Sequence, residues 1–184
     1  MSECWRVLIA DDEPWIREGI RDAVSWERYQ MSVSAEAENG EEAFELALKH
    51  GIDLLIVDLN MPIVNGITLM KKLRGVLPQC RFVIVTGYDQ FAYAQEAIRL
   101  NVDDYLLKPV DPAHLEQVLE KISVSLAAEK KKLSEQKLAE QHIQQNLGLL
   151  KEHVFRSWIE GRADEEDVYR QLECLRLPAR YPET

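Results

Sequence analysis

Short apolar runs alternate with amphipathic stretches along the first two thirds of the chain. Five runs read as strands: Arg6 to Ala10, Met31 to Ala37, Leu54 to Asp58, Phe82 to Thr86, and Asp104 to Leu107. Leu54-Leu55-Ile56-Val57 has no polar face, as a strand covered on both sides by helices requires. Between the runs the spacing becomes helical, near Ile16 to Val24, Glu41 to Lys49, Ile67 to Leu77 and Phe91 to Leu100. Repetition of this β-α unit predicts a doubly wound parallel α/β sheet.

The turn residues agree with these boundaries. Gly51 follows Lys49-His50 as a helix stop, and Asn65-Gly66 marks a turn into the next helix. Asp111-Pro112 supplies an N-cap and a proline at the first helical position, so a last helix begins there. Neither glycine nor proline interrupts it between Ala113 and Leu147. Leu115, Leu119, Ile122, Leu126, Leu133, Ile143, Leu147, Leu150 and Val154 fall on one alternating four-three spacing, with Glu129, Gln136 and Glu140 in the same register. That pattern predicts a parallel coiled coil with a polar middle, against the alternative of a single solvated helix. Phe155, Trp158 and Ile159 precede a helix stop at Gly161. A short helix capped by Asp164 is expected to carry Val168, Leu172 and Leu175 before a linker-like end. The expected division is 1–126 for the α/β domain, 127–160 for the helical arm, and 161–184 for the approach to a further domain.

Composition narrows the function. Apolar residues make up 46% and charged residues 29% of the 184, as in an ordinary globular protein. No apolar run is long enough to span a bilayer, and Val7 to Ala10 stops at two aspartates, so a cytoplasmic location without membrane contact is expected. Cys4, Cys80 and Cys174 are far apart and read as free thiols, and His50, His114, His142 and His153 show no metal-ligand spacing. A net charge of -10 argues against these residues binding nucleic acid by themselves.

The chemistry sits at strand ends. Asp11 and Asp12 follow the first strand, Asp58 ends the third, Thr86 ends the fourth, and Lys108 follows the fifth. Open parallel sheets bind ligands at this edge, so the sheet gathers these side chains from distant parts of the sequence. Crowded carboxylates repel by about 1 kcal/mol per pair at 4 Å in water, and by about 4 at an effective dielectric near 20. A divalent cation relieves that repulsion, and an oxygen-only donor set points to Mg²⁺. Lys108 supplies a positive charge for a phosphoryl oxygen, Thr86 a hydroxyl, and a carboxylate is a competent nucleophile. Taken singly, Asp11 could be a helix cap, Thr86 a turn residue and Lys108 a solvated loop residue.

Val7-Leu8-Ile9-Ala10-Asp11-Asp12-Glu13, Leu54 to Pro62, Thr86-Gly87-Tyr88 and Asp104 to Pro109 together resemble a response-regulator receiver domain, over about residues 4 to 126. The resemblance implies a flavodoxin-like sheet of order 2-1-3-4-5. It implies that Asp58 is the phosphoacceptor, and that Asp11, Asp12, Asp58 and the backbone carbonyl of Asn60 hold Mg²⁺. Thr86 and Lys108 then answer the phosphoryl group, Pro109 follows a cis peptide, and Tyr105 swings between outward and inward positions. The implied partners are a sensor histidine kinase and a second copy of the chain. That copy would pair through the arm or the face made by the 91–100 helix, the fifth strand and the last helix. Thr86 to Ala94, the long helix and Phe155 to Leu177 resemble the YesN subgroup, whose AraC-type DNA-binding domain would lie beyond Thr184.

Other readings are open at this stage. A Mg²⁺-dependent aspartyl phosphatase would want a second acid two residues after Asp58, where Asn60 stands. A flavin carrier would want a phosphate loop where Asp11-Asp12-Glu13-Pro14 stands, and those carboxylates would repel it. A receiver fold serving only as a dimerisation scaffold is the third.

Overall fold

The computed structural model describes residues 4–87 and 99–159, with side chains omitted for 143–155 and 157–159. Five strands form one parallel sheet: β1 (Trp5–Ala10), β2 (Met31–Ala37), β3 (Leu54–Asp58), β4 (Arg81–Thr86) and β5 (Asp104–Leu107), in the order β2-β1-β3-β4-β5. The helices are α1 (Pro14–Asp22), α2 (Gly40–His50), α3 (Gly66–Val76) and the C-terminal helix Pro112–Ile159, with a 3₁₀ turn at Trp26–Tyr29. The expected sheet and its order are both observed. The expected helix over 91–100 lies largely outside the described residues, as do Gly161 and the capped helix at Asp164.

Alternate strand residues serve two separate cores, as the two-residue repeat of a strand dictates. Leu8, Leu55, Val57, Phe82 and Ile84 pack with Ala43, Ala47, Leu69, Met70 and Leu73 of α2 and α3. Val7, Ile9, Leu54, Ile56, Val83 and Leu106 pack with Ile20, Trp26, Leu115, Leu119, Ile122 and Leu126 on the other face. β3 is buried along its whole length, which accounts for its unbroken apolar run.

The four leading residues of the four-three register therefore belong to this intramolecular core. Leu115, Leu119, Ile122 and Leu126 are almost fully buried against the sheet, whereas Leu133 and Leu138 are exposed. The chain divides into two units, Met1–Ala127 and Ala128–Thr184. Within the first, Arg81 joins Asp103 at 2.8 Å and donates to Ser125 Oγ at 2.8 Å, fixing the C-terminal helix to the sheet before Ala127.

Loop geometry aims the strand ends. Asn65 caps α3 by accepting from the Thr68 N–H at 2.8 Å, and Asn39 caps α2 by accepting from Glu41 and Glu42. A Cβ on Gly66 would collide with the carbonyl of Asp58, and one on Gly40 with the carbonyl of Val64. Both glycines therefore let the β3–α3 loop fold tightly back beneath Asp58. Gly66→Ala is expected to cost roughly 1–3 kcal/mol through overpacking, read as a lower urea midpoint with an unchanged slope. Wild-type stability in that variant would show that the loop has room to move.

Candidate functional site

Three strands deliver their carboxyl ends to one edge of the sheet. Asp11 follows β1, Asp58 closes β3, and Lys108 follows β5. Asp11 is 1% and Asp58 4% exposed, and they are the buried carboxylates among the described residues. Carboxylates so deeply placed need partners.

Lys108 is that partner. Its Nζ donates to Asp58 Oδ2 at 3.0 Å and to Glu13 Oε1 at 3.1 Å. It also forms an ion pair with Asp11 Oδ2 at 2.8 Å. Asp11 Oδ1 accepts the Glu13 N–H at 2.9 Å, and Asp58 Oδ1 the Asn60 N–H at 3.3 Å. Burial pushes the Asp11 carboxyl up, and Lys108 and the Glu13 N–H offset this only in part. Burial would pull the Lys108 ammonium down, but its contacts with Asp11, Asp58 and Glu13 outweigh it and hold Lys108 above its ordinary value.

The remaining expected residues surround this centre. Asp12 is exposed beside Asp11, and Asn60 is exposed two residues after Asp58. Thr86 Oγ1 donates to the Gly87 carbonyl at 3.2 Å, and the Thr86 carbonyl accepts the Lys108 N–H at 2.9 Å. Tyr105 is 59% exposed on β5. The Lys108–Pro109 peptide is cis. Asp11, Asp58 and Lys108 thus meet directly through side chains, while Thr86 is tied to Lys108 through the backbone.

Glu13 is the site residue that the sequence did not single out. It binds Lys108, and its carboxylate joins those of Asp11 and Asp12 in a group whose oxygens lie within 4.8 Å of one another. Its signal was its place directly after the acidic pair. One ammonium cannot balance this many carboxylates. The excess negative charge and the oxygen-only donors together fit a hard divalent cation.

Comparison with known proteins agrees with this geometry. Residues 7–120 match the response regulator receiver domain. The transcriptional regulatory protein YesN of Bacillus subtilis is 32% identical over 85% of this chain and 42% of its own length. HptR of Staphylococcus aureus, also a transcriptional regulatory protein, is 40% identical over 62% of this chain and 45% of its own. The chain thus spans under half the length of these curated relatives. Among solved structures, the receiver domain of AraT, a response regulator from Geobacillus stearothermophilus, superposes with a TM-score of 0.68 at 58% identity. That match covers 71% of this chain and 99% of the other. A two-component transcriptional regulator from Clostridium phytofermentans gives 0.63 at 29% identity, covering 69% and 98%. With residues 7–120 matching and the sheet order in place, the chain belongs to the response-regulator receiver family of two-component systems.

Proposed function

We propose that this receiver is a phosphorylation-controlled switch in which Asp58 accepts a phosphoryl group from a sensor histidine kinase. The observation that carries this reading is the buried Asp58 carboxylate, held by Lys108 beside Asp11 at the carboxyl edge of the sheet. A carboxylate oxygen of Asp58 forms the new P–O bond as the P–N bond of the kinase phosphohistidine breaks. Asp11, Asp12 and Asp58, with the Asn60 carbonyl, would hold Mg²⁺, which when bound neutralises carboxylate and phosphoryl charge. The chain's own contribution is placement and electrostatics, so it is no enzyme beyond this self-catalysed transfer and the hydrolysis of its own aspartyl phosphate, in which water takes the phosphoryl group and frees the Asp58 carboxylate. Lys108 moves from the free carboxylate to a phosphoryl oxygen, the Thr86 hydroxyl donates to another, and Tyr105 turns inward. These contacts shift a pre-existing equilibrium by the difference in affinity between its two states.

The output is transcriptional in this reading. Its supports are the longer relatives named as transcriptional regulators and the long C-terminal helix. The receiver ends near residue 126, residues 127–160 form a dimerising arm, and 161–184 lead to a DNA-binding domain. The protein works in the cytoplasm, and no described helix is long and apolar enough to cross a membrane.

Asp58→Asn is expected to abolish the phosphoryl adduct seen by intact mass after incubation with acetyl phosphate and Mg²⁺. Retained labelling would move the acceptor elsewhere.

The Asp11 carboxyl is raised above 3.8 in the fold, so its ionisation destabilises the native state as the pH rises through the folded value. Asp11→Asn in metal-free buffer should therefore raise Tm at pH 7. The gain should shrink as the pH falls toward 3.8. A gain independent of pH would place its origin outside this ionisation.

Ending the chain after Ala127 keeps Ser125 and Leu126, so a folded, phosphorylatable and more monomeric protein is expected by light scattering. Unchanged dimerisation would place the interface on the receiver itself.

A further inference from the structure

The loop that carries Asp11 and Asp12 is anchored at three polar atoms. The Asp11 N–H donates to the Ala37 carbonyl at the end of β2 at 3.1 Å, and the Glu13 N–H to Asp11 Oδ1 at 2.9 Å. The Asp11 carbonyl accepts from Arg17 Nη1 at 2.6 Å. Arg17 stands on α1 with its side chain only 15% exposed. Its Nε lies 3.5 Å from Glu36 Oε2 on β2 without a hydrogen bond, and Glu36 is held in turn by Arg21 Nη1 at 2.8 Å. A largely buried guanidinium thus faces a backbone carbonyl, although the carboxylates of Asp11, Asp12 and Glu13 stand four to six residues before it in the sequence. Among the described residues, Arg17 pairs with none of Asp11, Asp12, Glu13 or Asp58.

We propose that Arg17 is a positioning residue for the divalent-cation site. The inference rests on the reading of the acidic loop as a Mg²⁺ site. By holding the Asp11 carbonyl, Arg17 fixes the plane of the Asp11–Asp12 peptide and hence the direction in which the Asp12 carboxylate leaves the chain. Glu36, itself held by Arg21, sets a carboxylate beside the guanidinium, so the end of β2 and the face of α1 together frame the loop. Lysine could not replace it, because an ammonium lacks the fork that reaches a carbonyl and a carboxylate from one rigid plane.

The sign of the effect separates positioning from charge. Arg17 is a cation near a cation site, so if it acted by charge alone, its removal would tighten metal binding. If it acts by positioning, removal loosens binding.

The test is calorimetric titration of the full chain with MgCl₂ for wild type, Arg17→Met and Arg17→Lys. Amide exchange at Asp12 and Glu13 is measured in the metal-free proteins. Both variants should bind Mg²⁺ roughly 10-fold more weakly, the usual effect of removing an outer-sphere partner, and both amides should exchange faster. Unchanged or tighter binding by Arg17→Met overturns the proposal, as does wild-type affinity in Arg17→Lys, which keeps the charge and loses the fork. If Arg17→Met fails to fold, Arg17→Lys carries the test. If wild type itself takes up no Mg²⁺, the metal reading of the loop falls, and unchanged exchange in the variants would then remove the anchoring role as well.

Discussion

Everything at the carboxyl edge of the sheet depends on one ammonium group placed among three carboxylates. Two of those acids are buried, and a buried charge without a partner is destabilising enough to drive protonation or unfolding. Lys108 must come from β5, which is separated from β3 by β4. Two strand spacings amount to about 10 Å between the backbones. The four-carbon stem of lysine spans much of that gap, over the end of β4 where Thr86 sits. The same arrangement leaves more negative charge than one lysine can balance, so the pocket is poised to take in further positive charge.

The rest of the fold can be understood as the means of aiming that cluster. Gly66 and Gly40 let the loop after β3 pass against the Asp58 carbonyl and the start of α2. Asn65 and Asn39 fix where the two helices begin. On the other side, the end of β2 and the first turns of α1 hold the acidic loop by its backbone. Ion pairs at the surface contribute little individually. In this frame their value lies in direction.

Much of this was legible in the residues. The central strand was plain because β3, covered on both faces, has an unbroken apolar run up to Asp58, and Gly51 in its left-handed conformation ended α2 as expected. The paired acids, the lone strand-end Asp58 and Lys108-Pro109 were visible as a set. Less visible were features that depend on contacts between distant segments. The 3₁₀ turn at Trp26–Tyr29 has no period of its own and is held by a Trp26 indole donating to the Arg21 carbonyl at 2.7 Å. Arg17 and Glu36 look like ordinary surface charges until β2 and α1 meet. Leu115 to Leu126 looked like the start of a coiled-coil seam because a helix against a sheet also needs apolar residues at three- and four-residue spacing. Spacing alone cannot say which surface will cover them.

The division of the core into two layers has its own consequence. Among the described residues, the core under α2 and α3 and the core under α1 and the C-terminal helix form separate clusters on the two faces of the sheet. No described residue belongs to both clusters, so changes in the two should act additively. The core beneath the C-terminal helix can thus be repacked while the opposite face and the loop beneath Asp58 keep their packing. The sheet works as a firewall: a packing change beneath the C-terminal helix stops at the strands, and the loop beneath Asp58 lies on their other side.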